Sequence, residues 1–181
     1  QATGYPGILS STITQSAKMD RMVELIEEIT SVGQKAIVYS QWEQMTLIMK
    51  QKLKRYNPAY ITGDVKSEIR MQEVSRFQND PTCKVIIGTI GAMGTGLTLT
   101  AASNVIFIDD PWNRALKDQA EDRAHRIGTK GTVRVITIVC KGTIDERILD
   151  LVYRKGKMAD LLIDGKFEGR NKTAFIDYLL S

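Results

Sequence analysis

The sequence predicts an α/β domain in which a mainly parallel sheet is covered by helices on both faces. Three observations predict it. Short apolar runs of strand type alternate with longer stretches whose apolar residues recur every three or four positions. The connections between successive strand runs are long enough to hold a helix, which parallel strands require. The strand runs are continuously apolar rather than alternating, as suits strands buried on both faces.

Residues 16–32 read as a helix, with Met19, Met22, Val23, Ile26 and Ile29 on one face and Gly33 as its stop. Residues 36–39 form a short strand, 43–55 a helix, and 59–62 a second strand ended by Gly63. A charged amphipathic helix over 65–78 is closed by Asn79, Asp80 and Pro81. Residues 84–88 and 104–108 are the third and fourth strands. A helix over 114–127 precedes a fifth strand over 133–139. A last long helix covers 144–162, with Gly156 as a break point. No repeat, low-complexity block or linker divides the chain, so 1–17 is a lead-in, 18–165 one lobe and 166–181 a tail. In that tail Phe175, Ile176, Tyr178, Leu179 and Leu180 suit a short docked helix.

Composition bounds the function. With 181 residues and 43% of them apolar, the chain can bury one core. A net charge of +4 is compatible with nucleic acid but does not identify it. Cys83 and Cys140 stand far apart and make no CxxC pair or disulfide framework, so a reducing compartment is expected. No apolar run approaches the roughly 18 residues that would span a membrane, and residues 1–11, polar and Gly-rich, do not read as a signal peptide. A chain that starts at Gln1 without Met is expected to be a piece of a longer protein.

The residues with most chemistry lie in the 114–127 helix. Gln119, Asp122, Arg123 and Arg126 have spacings of three, four and seven, and so share a face about 100° wide. Leu116, Ala120, Ala124 and Ile127 make an apolar stripe beside it. By itself the polar stripe is equally a solvated face with an Asp122–Arg126 pair. Its sharper use is a phosphate clamp, because guanidinium stays charged and its forked donors match phosphate oxygens. Gly94-Thr95-Gly96 offers backbone N–H groups that a phosphate can approach closely, or a turn needed only for chain geometry. Ser40 and Gln41 end a strand where α/β sheets bind ligands, although Ser40 is also a candidate helix cap. His125, the single histidine, reads as structural. Lys50, Lys52, Lys54 and Arg55 read as a solvated helix end.

In order along the chain, these segments resemble the motifs of the SNF2 family of superfamily 2 helicases. Residues 36–42 (AIVYSQW) resemble its motif IV, and 61–63 (ITG) the short block after it. Residues 94–102 (GTGLTLTAA) resemble motif V, and 119–128 (QAEDRAHRIG) motif VI, with Asp110-Pro111-Trp112-Asn113 as the signature just before it. Residues 142–148 (GTIDERI) resemble the start of the bracing helix that follows the lobe. The resemblance implies a three-layer RecA-like lobe, the C-terminal one of the two that such enzymes carry. It implies Arg123 and Arg126 as arginine fingers for ATP, with Gln119, Asp122, Gly96 and Thr98 near the nucleotide. It implies Ser40, Gln41, Gly63, Thr89, Gly94 and Thr95 against the backbone of double-stranded DNA. Thr98 stands where the family usually has Asn, Glu121 and Thr129 are unusual, and Trp112 is a single aromatic where two are common. A divergent branch from a bacterium or phage, hence a cytoplasmic setting, is expected; a eukaryotic source would make it nuclear.

No GxxxxGK[ST] occurs, so the triphosphate cradle is absent from these residues. ATP with Mg²⁺ is then expected on the N-terminal RecA-like lobe of the same polypeptide, and this lobe alone is expected to be inactive. No residue of this chain is assigned to a metal: Asp109-Asp110 at a strand end has no phosphate loop to serve. Two other classes compete. A non-enzymatic nucleic-acid-binding module would keep the same fold. An adenine-type methyltransferase would use residues 109–112 (DDPW) as its target-holding motif, but Asp110 stands where Pro is needed.

Overall fold

The computed structural model describes residues 16–93, 97–109, 111, 118, 133–147, 149–150 and 154. The elements are α1 (Ala17–Ser31), β1 (Ala36–Ser40), α2 (Glu43–Lys52), β2 (Ala59–Ile61), α3 (Ser67–Asn79), β3 (Val85–Thr89), α4 (Ile90–Met93), β4 (Asn104–Phe107) and β5 (Arg134–Thr137). The strands form one sheet in the order β2-β3-β1-β4-β5. Every pairing in it is parallel.

The sheet separates two apolar cores, and the two-residue period of β1 shows how. Ala36 and Val38 point into a core with Met19, Met22 and Ile26 of α1 and Met45 and Met49 of α2. Ile37 and Tyr39 point to the other side, into a core with Val74 and Phe77 of α3 and Leu97, Leu99 and Ala102. All five residues of β1 are buried, as a central strand covered on both faces must be. The Tyr39 and Phe107 rings stack there at 5.3 Å.

Local chemistry sets the boundaries. Ser16 caps α1 by accepting from the Met19 N–H. The helix predicted over 43–55 ends earlier, at Lys52. A 3₁₀ turn follows over Lys54–Tyr56 and closes on Asn57 in the left-handed region (φ 48°). Pro58 disfavours helix at the residue before it, and Asn tolerates the left-handed conformation. At the end of α3, Lys35 Nζ donates to the carbonyls of Phe77 (2.5 Å) and Asp80 (2.7 Å). Asp80 Oδ1 accepts from both the N–H and the hydroxyl of Thr82, which closes the predicted turn. The four-residue α4 was not foreseen, being too short to show a period. β5 is shorter and more open than its apolar run implies: among the described residues it pairs with β4 alone, and it leaves Arg134 and Val135 exposed. Lys50 is also more than a solvated helix end, since its ammonium lies 4.4 Å from the centre of the Tyr60 ring.

Candidate functional site

Parallel strands place all their C-terminal ends on one edge, the edge where ligands bind in α/β sheets. Ser40 at the end of β1 is the register partner of Thr89 at the end of β3. Ile61, the last residue of β2, pairs with Gly88, so the turn that holds Gly63 leaves from the same edge. Phe107 of β4 pairs with Tyr39 and runs on into Ile108 and Asp109. The structure thus brings together Ser40, Gln41, Gly63 and Thr89.

Asp109 ties this edge. The Ser40 hydroxyl donates to Asp109 Oδ2 (2.5 Å), and the Gln41 N–H donates to Asp109 Oδ1 (2.7 Å). Ser40 Oγ in turn accepts from the Trp42 N–H (3.0 Å). Ser40 is fully buried, and its hydroxyl is committed in both directions. It shapes the edge, with Gln41 half-buried and Trp42 38% exposed beside it. Burial pushes the Asp109 carboxyl above its usual range, against the pull of the Ser40 and Gln41 hydrogen bonds and the Lys18 charge. The methyltransferase reading needs this carboxylate for a target amino group; here both its oxygens already accept from the chain.

Arg70 of α3 shapes the Gly63 turn. Its guanidinium donates to the carbonyls of Val65 (2.7 Å) and Gly63 (2.8 Å). Gly63 is exposed, has no positive φ, and a Cβ added to it would meet nothing within 4 Å. Neither the backbone nor the space among the described residues therefore demands glycine there. Thr98 is exposed, and its carbonyl accepts from Gln78 Nε2 (2.7 Å) in the last turn of α3. That ties it to the α3 face of the sheet rather than to the knot around Asp109. Gly94, Thr95, Gly96, Gln119, Asp122, Arg123 and Arg126 lie outside the described residues. Of the predicted 114–127 helix, Asp118 is described and is helical and exposed. Among the described residues, no group of three or more His, Cys, Asp or Glu could hold a metal ion.

The start of the last helix is built by its own polar residues. Residues 144–147 are helical. Thr143 Oγ1 accepts from the Asp145 N–H (3.2 Å) and donates to the Cys140 carbonyl (2.7 Å). Glu146 Oε2 accepts from the Gly142 N–H (2.7 Å). Asp145 turns inward and meets Lys18 Nζ at 2.6 Å. Sequence reasoning passed over Lys18, although it shares an apolar face of α1 with Met22, Leu25 and Ile29.

The geometry agrees with comparisons to known proteins. The family described as "Helicase conserved C-terminal domain" matches residues 17–128, a span that includes Arg123 and Arg126. The chromatin-remodeling ATPase INO80 of Saccharomyces cerevisiae is 35% identical over 161 residues, which is 88% of this chain and 11% of that protein. INO80 of Homo sapiens is 36% identical over 157 residues, 86% of this chain and 10% of that protein. The chain thus spans about a tenth of the length of these curated relatives. Among solved structures, the C-terminal part of the Fun30 ATPase domain superposes with a TM-score of 0.73 at 30% identity, over 76% of this chain and 46% of that one. The Sulfolobus solfataricus SWI2/SNF2 ATPase C-terminal domain gives 0.68 at 28% identity, over 88% of this chain and 67% of that one. The five-stranded parallel sheet with helices on both faces is their RecA-like architecture, and the chain belongs to the helicase conserved C-terminal domain family, in its SNF2 branch.

Proposed function

We propose that this chain is the second motor lobe of an SNF2-type ATP-dependent DNA translocase, with Arg123 and Arg126 as its arginine fingers. The observation that carries the reading is the family match over residues 17–128, which runs through both arginines and through the sheet edge that gathers Gln41, Gly63 and Thr89. ATP with Mg²⁺, held by the N-terminal RecA-like lobe of the same polypeptide, supplies the phosphoryl group that passes to water. Arg123 and Arg126, three positions apart in the sequence, place guanidinium charge against the oxygens that gain charge in the transfer. Gln119 hydrogen-bonds beside the nucleotide, and Asp122 holds an arginine in register. Gly96 and Thr98 approach from the neighbouring loop. Gln41, Gly63, Thr89, Gly94 and Thr95 contact the DNA backbone through amide, hydroxyl and main-chain groups, which is sequence-blind recognition. Ser40 acts there by positioning Gln41. Nucleotide between the lobes draws them together and hydrolysis releases them, so alternating grip on the backbone moves the enzyme along the duplex. The relatives named as chromatin-remodeling ATPases support ATP hydrolysis coupled to DNA.

The test is Arg123→Ala and Arg126→Ala in the full-length polypeptide. Each lowers DNA-stimulated ATP turnover, on the order of 10³-fold by the usual worth of an arginine finger, while the melting temperature stays at the parental value. Parental turnover in both variants would remove the arginines from the mechanism.

A further inference from the structure

Lys18 is a charged side chain with 2% of its surface exposed, and the proposed mechanism does not use it. Its ammonium makes two contacts that belong to distant parts of the chain. It donates to the Ile108 carbonyl at 2.9 Å, just beyond the end of β4. It also meets Asp145 Oδ2 at 2.6 Å, in the first turn of the C-terminal helix. The same Asp145 oxygen accepts from the Cys140 N–H at 3.1 Å, which fixes the segment that leaves β5. Ile108 precedes Asp109, whose two oxygens hold the Ser40 hydroxyl and the Gln41 N–H. The Ile108 N–H donates to the Tyr39 carbonyl at 3.1 Å, a second tie to the end of β1. One buried ammonium therefore joins the start of α1, the end of β4 and the start of the C-terminal helix, and lies one residue from the group that sets the Ser40–Gln41 edge.

A buried ion pair is a poor way to gain stability, because desolvation offsets most of the attraction, but it fixes which groups meet. Here the groups that meet are the strand end behind the candidate DNA edge and the start of the last helix. We propose that Lys18 and Asp145 are positioning residues: a buried ionic latch that sets the Ile108–Asp109 strand end, holds Gln41 in register through it, and links both to the C-terminal helix. This extends the proposed function, since Gln41 is read there as a DNA contact. Displacement of that helix is then felt at the DNA edge.

The experiment uses the full-length polypeptide carrying Lys18→Met alone and Lys18→Met with Asp145→Asn. The single variant removes the Lys18 ammonium from the half-buried Asp145 carboxylate and loses thermal stability. The double variant removes both charges, keeps an acceptor for the Cys140 N–H, and regains most of that stability. Two readouts separate positioning from bulk stability. In the double variant, hydrogen exchange at the Gln41 and Trp42 amides speeds up while the Ile37 and Val38 amides keep their protection. DNA-stimulated turnover also falls, by about 10- to 100-fold, the scale set by a displacement of about 1 Å at a group remote from the chemistry. Parental exchange at Gln41 together with parental turnover overturns the latch. So does a double variant too unstable to purify, because the pair then serves stability alone. The exchange readout needs no ATP, so a failure of the arginine assignment leaves it standing and the two ideas fail separately.

Discussion

At the scale of single residues, buried polar groups govern this edge, and Asp109 makes that testable by pH. Burial raises its carboxyl pKa above that of the unfolded chain. The native state therefore holds this proton more firmly, and the stability it contributes is complete below the unfolded value, near 4, and lost as pH rises through the raised one. Asp109→Asn has no such titration. Melting curves of the two proteins from about pH 4 to pH 7 are expected to show the parent losing stability relative to the variant as pH rises; a relative gain would contradict burial as the dominant cause. Little of this knot was legible in the sequence. Ser40 and Asp109 are each recognisable as strand-end polar residues, but their pairing is a long-range contact that no local period encodes. Lys18 did leave a signal, a charge among Met22, Leu25 and Ile29 on one helix face, but nothing local named Ile108 and Asp145 as its partners.

At the scale of elements, two glycines at the edge of the β2–β3 region separate packing from contact. Gly88 lies opposite Ile61, and a Cβ there would collide with the Ile61 carbonyl oxygen and come within 3.0 Å of Met93 Cγ and Sδ. Gly88→Ala must therefore push β2 and β3 apart, costing about 1–3 kcal/mol or more as overpacking does. At Gly63 the added methyl meets only open space. Gly63→Ala is expected to leave the melting temperature unchanged and to weaken binding to duplex DNA. A variant that melts like the parent and also binds DNA like the parent would withdraw Gly63 from the contact surface. The helices and strands themselves were legible, because apolar periods of two and about 3.6 are written locally. Their ends shifted where one residue decided: Pro58 and Asn57 cut α2 short, and Lys35 closed α3 from another part of the chain.

At the scale of the whole molecule, the parallel sheet places its ligand edge on one side, and the phosphate loop that would complete a nucleotide site is not in these residues. The isolated chain is expected to show no ATP turnover with or without DNA, and turnover in a purified preparation that Arg123→Ala abolishes would refute that dependence on a second lobe. The fold class and its RecA-like type were legible from strand–helix alternation and from the ordered motifs, whereas the strand order was not, since β1 pairs with β3 and β4 rather than with its nearest neighbour in sequence. That order has a consequence for biosynthesis. β1 emerges from the ribosome before either of its partners, and its two hydrogen-bonding edges stay open until Val85 and then Asn104 have been made. A nascent chain paused between those points exposes a largely apolar strand with one side unpaired, so this lobe completes its folding late in synthesis and is most prone to aggregate in that interval.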